Sequence, residues 1–432
     1  MVSRPIAIAL VIAGAVAVGG GAVLVAGHMA KPSTGDLYQA CTAGLWPDED
    51  DAKSRADACS KALQSGKLRA DEIALARLTR GVARTMLGNS IASFEDYQEA
   101  LKHYDGAIDP THPDASALFR RATAERGLGL TDRALADFDK AIGLDPNNHQ
   151  AYLGRGALLA QRTRDYRRAI GDFDRTLQLE PRNLTALIAR GDAYSQVGEF
   201  PRAFEDLDRA VALEPKHTHP LVVRGLVHSR EGKPQLAMQD YDAALKLNDQ
   251  EPFALMNRAA LNAADGKHGL AIRDLDASLA ANDTNALAYY NRGYAHFSLG
   301  EYGAAITDYD AALKLDDDMG LAHLNRCLTR VIAGGAGQDV LADCDTALKL
   351  MPLSPDVRET RGFVFLKQGQ PHKAIEEYNA ALAINANRAQ ALYGRALAEC
   401  RLNRSDDCKR DKEAALALDA DVERQFKRHG VD

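Results

Sequence analysis

Two short motifs have residue types that could support ligand or catalytic chemistry. The triplet His-Thr-His at residues 217–219 places two imidazoles close together, but no third metal ligand stands nearby. The run Gly-Gly-Ala-Gly at residues 334–337 lacks the Gly-Lys-Ser/Thr that a phosphate-binding loop requires, so we interpret it as a turn. No Ser/His/Asp set, paired catalytic carboxylate or HExxH motif appears in a recognisable context. The sequence therefore predicts no enzyme activity, no metal and no cofactor.

The net charge of the chain argues against one class of partner, nucleic acid. The 432 residues contain 53 Lys and Arg against 60 Asp and Glu, which gives a net charge of −7. A nucleic-acid-binding domain needs a concentrated basic face that displaces counterions, so this composition argues against nucleic acid as a partner. Hydrophobic residues make up 46 % of the chain, which is enough to bury a core.

An internal repeat supplies the elements that would position any functional residue. Small residues recur every 34 or 35 positions, at Ala107, Ala141, Thr176, Ala210, Ala244, Ser278, Ala312, Ala347, Ala381 and Ala415. A second small residue precedes most of these by 19 positions, and a Gly-containing turn lies between the two. Each unit is therefore predicted to be two amphipathic helices joined by a Gly turn. One such pair cannot bury its apolar face alone, so neighbouring pairs are expected to stack.

The segment AYYNRGYAHFSLGEYGAAITDYDAALKLDDD at residues 288–318 resembles the tetratricopeptide repeat (TPR) motif, and the resemblance extends over about residues 37–422. It implies an all-α fold, a right-handed superhelical solenoid of stacked antiparallel helix pairs. We expect two irregular TPR-like units in 37–110, nine regular units in 111–422, and the end of a capping helix in 423–432. Nothing remains for a separate catalytic domain.

The amino-terminal segment is predicted to interact with a membrane. Residues 5–27 carry no charge, and Arg4 precedes them. A run of this length exceeds the roughly 20 residues that a transmembrane helix needs. Residues 1–30 are therefore interpreted as a signal-anchor and 31–36 as a linker, which predicts a single-pass inner-membrane protein with its bulk in the periplasm. The alternative is a signal peptide whose cleavage leaves a periplasmic or secreted protein.

The six cysteines fall into three pairs, each within one predicted helix hairpin. Cys41 and Cys59 are separated by 18 residues, Cys327 and Cys344 by 17, and Cys400 and Cys408 flank the final turn. At such positions the Cα atoms could approach to about 5.5–6 Å, as a disulfide requires, and an exported location would preserve the bonds. The alternative is that cysteine serves as a small buried residue.

An arginine immediately precedes the small residue on the predicted first helix of almost every unit. These arginines are Arg80, Arg121, Arg155, Arg190, Arg224, Arg258, Arg292, Arg326, Arg361 and Arg395. The facing helices carry aspartate pairs such as Asp206/Asp208. Because a ligand site would occupy only one stretch of the array, this recurrence favours a structural Arg–Asp ladder between neighbouring helices. A row of anion-binding sites is the alternative.

In proteins similar to TPR domains, the first helix of each unit lines a concave groove that binds partner polypeptides. The residues that the resemblance places in this groove become more apolar and aromatic from about residue 250 onward. In the family, Asn at the corresponding site often hydrogen-bonds a bound peptide, which makes three asparagines candidates here. The predicted partner-binding residues are Met256, Asn257, Tyr290, Asn291, Tyr294, Phe297, Leu324, Asn325, Leu328 and Phe363. The alternative for the apolar members is packing between adjacent first helices.

The sequence therefore predicts a non-enzymatic scaffold that binds partner polypeptides in a preformed groove on the exported side of a membrane. The alternative is an accessory subunit of an envelope glycan-transfer or export complex, with the chemistry on another chain.

Overall fold

The fold is described from a computed structural model, which covers residues 33–43, 49–87, 89–335 and 338–431. Within these ranges every regular element is a helix, so the predicted all-α class is confirmed. The helices pair consecutively, and in each pair we term the odd-numbered member the first helix and the even-numbered member the second helix. Two compact units are distinguished, an N-terminal unit (described residues 33–247) and a C-terminal unit (described residues 248–431).

The N-terminal unit contains six helix pairs. Its helices are α1 (Thr34–Thr42), α2 (Glu49–Gln64), α3 (Ala70–Met86), α4 (Ser90–Ala107), α5 (Ala115–Gly127), α6 (Thr131–Leu144), α7 (His149–Leu158), α8 (Tyr166–Leu179), α9 (Leu184–Gln196), α10 (Phe200–Leu213), α11 (Thr218–Arg230) and α12 (Pro234–Leu247). A π-helical turn, Leu159–Thr163, continues α7.

The C-terminal unit contains five pairs and one further short helix. Its helices are α13 (Pro252–Ala264), α14 (His268–Ala281), α15 (Ala286–Leu299), α16 (Tyr302–Leu315), α17 (Gly320–Ile332), α18 (Gln338–Leu350), α19 (Pro355–Lys367), α20 (Pro371–Ile384), α21 (Ala389–Arg401), α22 (Ser405–Leu418) and α23 (Val422–Arg428).

Local sequence explains where these helices begin and end. The side chains of Asn148 and Asn183 accept hydrogen bonds from the backbone N–H groups of the first turns of α7 and α9, at 3.0 and 2.9 Å. Such caps satisfy N–H groups that have no partner within the helix. Between the two helices of a pair the chain adopts a left-handed conformation, as at Gly300 with φ of 82°. Glycine is favoured there because it has no Cβ to clash.

The recurring small residues allow the two helices of a pair to approach closely. A Cβ added at Gly293 on α15 would lie 2.8 Å from the Tyr309 ring and 3.2 Å from the Ala305 carbonyl oxygen, both on α16. Tyr309, Ala305 and Ala312 are all completely buried. Tyr309 and the Ala305 backbone therefore pack directly against the bare backbone of Gly293, which explains why this position excludes larger residues.

The membrane prediction requires correction. The predicted span at 5–27 lies outside the described residues. Among the residues that the structure does describe, no helix combines the length and the apolar character needed to cross a bilayer. The assignment of the chain as a single-pass inner-membrane protein was wrong because it depended on the hydropathy of that one segment, and no described helix supports it.

Candidate partner-binding surface

The ten predicted partner-binding residues lie on four first helices of the C-terminal unit, α13, α15, α17 and α19. Most of them are inaccessible. Eight are at most 4 % exposed, namely Met256, Asn257, Tyr290, Asn291, Leu324, Asn325, Leu328 and Phe363. Tyr294 and Phe297 are half-buried. This burial favours the packing alternative for the eight and leaves the aromatic pair on α15 as the accessible part of the predicted set.

The contacts of Tyr290 illustrate this packing. Its hydroxyl accepts a hydrogen bond of 3.0 Å from Asn325 Nδ2 on the next first helix, α17. Its ring lies 6.0 Å from the ring of Tyr309, and burial raises the pKa of the Tyr290 hydroxyl well above its usual range. Asn325 thus makes an interhelical bond that fixes α15 against α17. Asn291 is 4 % exposed, so its amide is also directed into the protein rather than toward a partner.

Tyr294 and Phe297 follow Tyr290 along α15 and lie toward the turn that connects it to α16. The Tyr294 ring is 6.2 Å from the imidazole of His268, which begins α14. The Phe297 ring is 5.7 Å from the Tyr302 ring at the start of α16. Aromatic groups held in this way present apolar area at little further cost in side-chain entropy, which suits them to be anchors for a partner.

A segment of the chain itself covers the equivalent face of the last two first helices. Phe426 of α23 is 1 % exposed, and its ring lies 5.2 Å from Tyr393 on α21 and 5.8 Å from Phe363 on α19. Val422 and Val431 are completely or almost completely buried in the same cluster. Residues 422–431, here called the C-terminal segment, therefore pack as an amphipathic peptide across two helices that the sequence predicted to line a groove.

A polar contact fixes the end of the C-terminal segment. The Lys367 ammonium at the end of α19 donates a 2.9 Å hydrogen bond to the backbone carbonyl of His429. Burial, together with the positive charges of Arg428 and Lys367, lowers the pKa of the His429 imidazole to about 4. Sequence reasoning assigned this region only to a capping helix. The contact with α19 was missed because it joins residues 62 positions apart without any repeat register.

The predicted Arg–Asp ladder is confirmed. Arg190 on α9 forms two hydrogen bonds of 2.7 Å with Asp206 on α10, and its third nitrogen donates to Asp174 on α8 at 2.7 Å. Asp206 is buried, whereas Asp174 is partly exposed. Each such arginine therefore joins its own second helix to the preceding one.

The same geometry recurs in both units. Arg121, Arg155 and Arg224 bridge two carboxylates in the N-terminal unit, and Arg292, Arg326 and Arg361 do so in the C-terminal unit. The hydrogen bond to Asp308 raises the pKa of the Arg292 guanidinium. Because these guanidiniums are occupied on two sides by carboxylates, the ladder favours a structural role over a row of anion sites.

The six cysteines lie close together in the three pairs that the sequence predicted. The Cα–Cα distances are 4.6 Å for Cys41 and Cys59, 5.6 Å for Cys327 and Cys344, and 5.3 Å for Cys400 and Cys408. All three lie within the range that a disulfide spans. Among the described residues, no group of three or more His, Cys, Asp or Glu side chains is arranged to hold a metal ion.

Thiol titration tests whether these pairs are oxidised. We expect the denatured, unreduced protein to show about zero free thiols, because each pair closes a short loop within one hairpin and could contribute on the order of 3 kcal/mol. A reduced sample serves as the control and should titrate all six cysteines. Six free thiols in the unreduced sample would mean that these cysteines are simply small buried residues.

Comparison with known proteins agrees with this geometry. Tetratricopeptide repeat family models match residues 286–319 and residues 85–149, 155–218 and 360–423. These matches together cover more than half of the chain. The chain therefore belongs to the tetratricopeptide repeat family.

Individual relatives match only short stretches. The chain is similar to the Hsp70-Hsp90 organizing protein of Triticum aestivum, at 37 % identity over 71 residues that cover 16 % of this chain and 12 % of the relative. It is similar to the Protein SGT1 homolog of Oryza sativa subsp. japonica, at 41 % identity over 63 residues that cover 15 % of this chain and 17 % of the relative. The chain thus spans less than a fifth of the length of these curated relatives.

Solved structures align over most of the chain at low identity. They include the APC/C hetero-tetramer Cut9-Hcn1, with 16 % identity and a TM-score of 0.49, covering 91 % of this chain and 91 % of that chain. They also include the human IFIT1 dimer with PPP-AAAA, with 16 % identity and a TM-score of 0.48, covering 90 % of this chain and 100 % of that chain. These likenesses concern the fold alone.

Proposed function

We propose that this protein is a non-enzymatic scaffold that binds a partner polypeptide on the first-helix face of its C-terminal unit. The observation that carries the proposal is the position of the C-terminal segment. Phe426 inserts between Phe363 and Tyr393, and Lys367 hydrogen-bonds the backbone beyond it. A face that accommodates a short amphipathic segment of its own chain has the shape and chemistry to hold a similar segment from another protein.

The expected ligand is a short helical or extended segment with aromatic or aliphatic anchors. Tyr294 and Phe297 supply half-buried aromatic area on the same face, two helix pairs before the C-terminal segment's contact with α19. Relatives named as organizing proteins for Hsp70 and Hsp90 support a protein partner in general terms. The alternative, an accessory subunit of a glycan-transfer or export complex, is favoured by no specific feature of the described residues.

Site-specific photocrosslinking tests the proposal in cells. A photoreactive residue replaces Tyr294 in one variant and Lys314 in another, because Lys314 is exposed on α16, the second helix of the same pair. We expect a defined polypeptide to be crosslinked from position 294 but not from position 314. Equal crosslinking of that polypeptide from both positions would contradict binding at the first-helix face.

Affinity for the crosslinked partner gives the quantitative test. We expect Tyr294→Ala to weaken binding about tenfold, because truncating a central aromatic anchor typically costs at least that factor. Thr307→Ala, at an exposed position on α16, is the matched control and should leave the affinity unchanged. Asparagine variants are avoided, since Asn291 and Asn325 are buried and their replacement would perturb packing. An unchanged affinity in Tyr294→Ala would reject this face as the binding site.

A further inference from the structure

One turn of the N-terminal unit places an arginine in the left-handed conformation, which most other turns assign to glycine and the turn between α21 and α22 assigns to Asn403, with φ of 59°. Between the two helices of seven pairs, a glycine takes the left-handed conformation, at Gly129, Gly198, Gly232, Gly266, Gly300, Gly334 and Gly369. Between α7 and α8 this conformation is taken by Arg164, with φ of 55°. The π-helical turn Leu159–Thr163 immediately precedes it.

The backbone of this turn does not favour arginine. A left-handed conformation brings Cβ close to the following carbonyl, so glycine is preferred and non-glycine residues are strained. Residues in such conformations and π-helical turns both concentrate at functional sites. Seven equivalent turns use glycine and one uses asparagine, which tolerates this conformation. The arginine here therefore favours a role for its side chain that the backbone conformation does not explain.

The turn also carries a local excess of positive charge. Residues 161–168 contain four arginines and one aspartate, whereas the whole chain has a net charge of −7. Arg162, Arg164 and Arg167 are exposed, and none of the three forms an ion pair with any residue in the described ranges. Asp165 caps α8, accepting a hydrogen bond from the Arg168 backbone N–H at 3.2 Å, and lies 3.8 Å from the Arg168 guanidinium. Three cationic groups therefore face solvent together.

These arginines contrast with those of the ladder. Arg155, on the same helix pair, bridges Asp172 and Asp139 and so has its charge satisfied within the protein. On the neighbouring pair, burial and, to a smaller extent, the positive charge of Arg162 together lower the pKa of Arg126 to about 10. An anionic group bound at the turn would relieve this repulsion between like charges.

We propose that the turn at residues 161–168 is a docking site for an acidic segment of a partner protein, contacted by Arg162, Arg164 and Arg167. Guanidinium groups form paired hydrogen bonds with carboxylates, and three of them within six residues match a run of alternating or consecutive Glu and Asp. A nucleic acid is less suited, because its backbone needs a basic track longer than one turn and the chain as a whole is acidic. The site lies in the N-terminal unit and is independent of the first-helix face proposed above.

Fluorescence anisotropy with the full chain tests the proposal. The probe is a labelled peptide of eight glutamates, and the control peptide has eight glutamines. We expect only the glutamate peptide to bind, with an affinity that falls as the salt concentration rises. Arg164→Gly should weaken its binding about three- to tenfold, and Arg162→Gln with Arg167→Gln should abolish most of the remainder. Arg182→Gln, in the exposed loop after α8, should have no effect.

The same glycine variant separates a binding role from a structural one. Because glycine suits the left-handed conformation, Arg164→Gly should have a melting temperature equal to or above that of the parent protein while losing affinity. A lower melting temperature would assign Arg164 to the fold and overturn the proposal. An unchanged peptide affinity in this variant, or tighter binding of single-stranded oligo-dT than of the glutamate peptide, would overturn it as well.

Discussion

Asp206→Ala is expected to lower the free energy of unfolding by about 3–5 kcal/mol, whereas Asp208→Ala should lower it by no more than about 1 kcal/mol. Both aspartates lie on α10, two residues apart, and each accepts hydrogen bonds from a ladder arginine. They differ in burial, since the side chain of Asp206 is 3 % exposed and that of Asp208 is 61 % exposed. Removing the buried carboxylate leaves the partly buried Arg190 guanidinium without its paired hydrogen bonds, while its ion pair with Asp174 remains.

Chemical denaturation of the two variants, monitored by circular dichroism, measures this difference directly. A common slope against denaturant concentration would show that both variants unfold the same amount of structure. Equal losses for Asp206→Ala and Asp208→Ala would contradict a ladder in which burial determines the energetic contribution. Arg190→Lys extends the test, because lysine keeps the charge but cannot form the paired hydrogen bonds to Asp206.

The ladder shows which features could be predicted from the sequence. An arginine and an aspartate with the spacing of Arg190 and Asp206 recur in neighbouring repeats. The pairing proposed for one repeat could therefore be checked against the others. The small residue at Gly293 was predicted for the same reason, since a small residue stands 19 positions before the recurring one in most units. Repetition converts a weak local pattern into a strong one because every pair must bury the same face.

The binding face could be predicted less well, because Tyr290 and Tyr294 occupy neighbouring turns of α15 but have different environments. Tyr290 contacts Asn325 on the adjacent first helix, whereas Tyr294 remains half-buried. Whether a first-helix side chain faces the groove or the adjacent helix depends on how closely the pairs stack. Sequence spacing gives the direction of a side chain along a helix but not the separation between helices.

The C-terminal segment marks a different limit. Phe426 lies beyond the last repeat, so no register predicted its contact with Phe363 on α19. Contacts outside the repeat pattern depend on the path of the short loop between α22 and α23. The pattern of residue types in the sequence does not determine that path.

Phe426→Ala tests the C-terminal segment and is expected to destabilise the C-terminal unit by about 3–5 kcal/mol, the usual cost of removing a fully buried phenylalanine. Its ring is 1 % exposed and contacts two aromatic rings on different first helices. Because α23 has only seven residues, it cannot persist without this packing. Hydrogen exchange should therefore show loss of protection in α23 together with faster exchange near Phe363 and Tyr393.

Arg424→Ala is the matched control for that experiment. Its side chain is 79 % exposed and pairs with the exposed Asp421, so the expected loss is within about 0.5 kcal/mol. A synthetic peptide of residues 419–431, added to Phe426→Ala, should restore protection on α19 and α21 if this face binds such segments. Retained protection in Phe426→Ala alone would show that α23 is held by other contacts. Restoration by the peptide would show that the face that holds the C-terminal segment also binds a separate polypeptide.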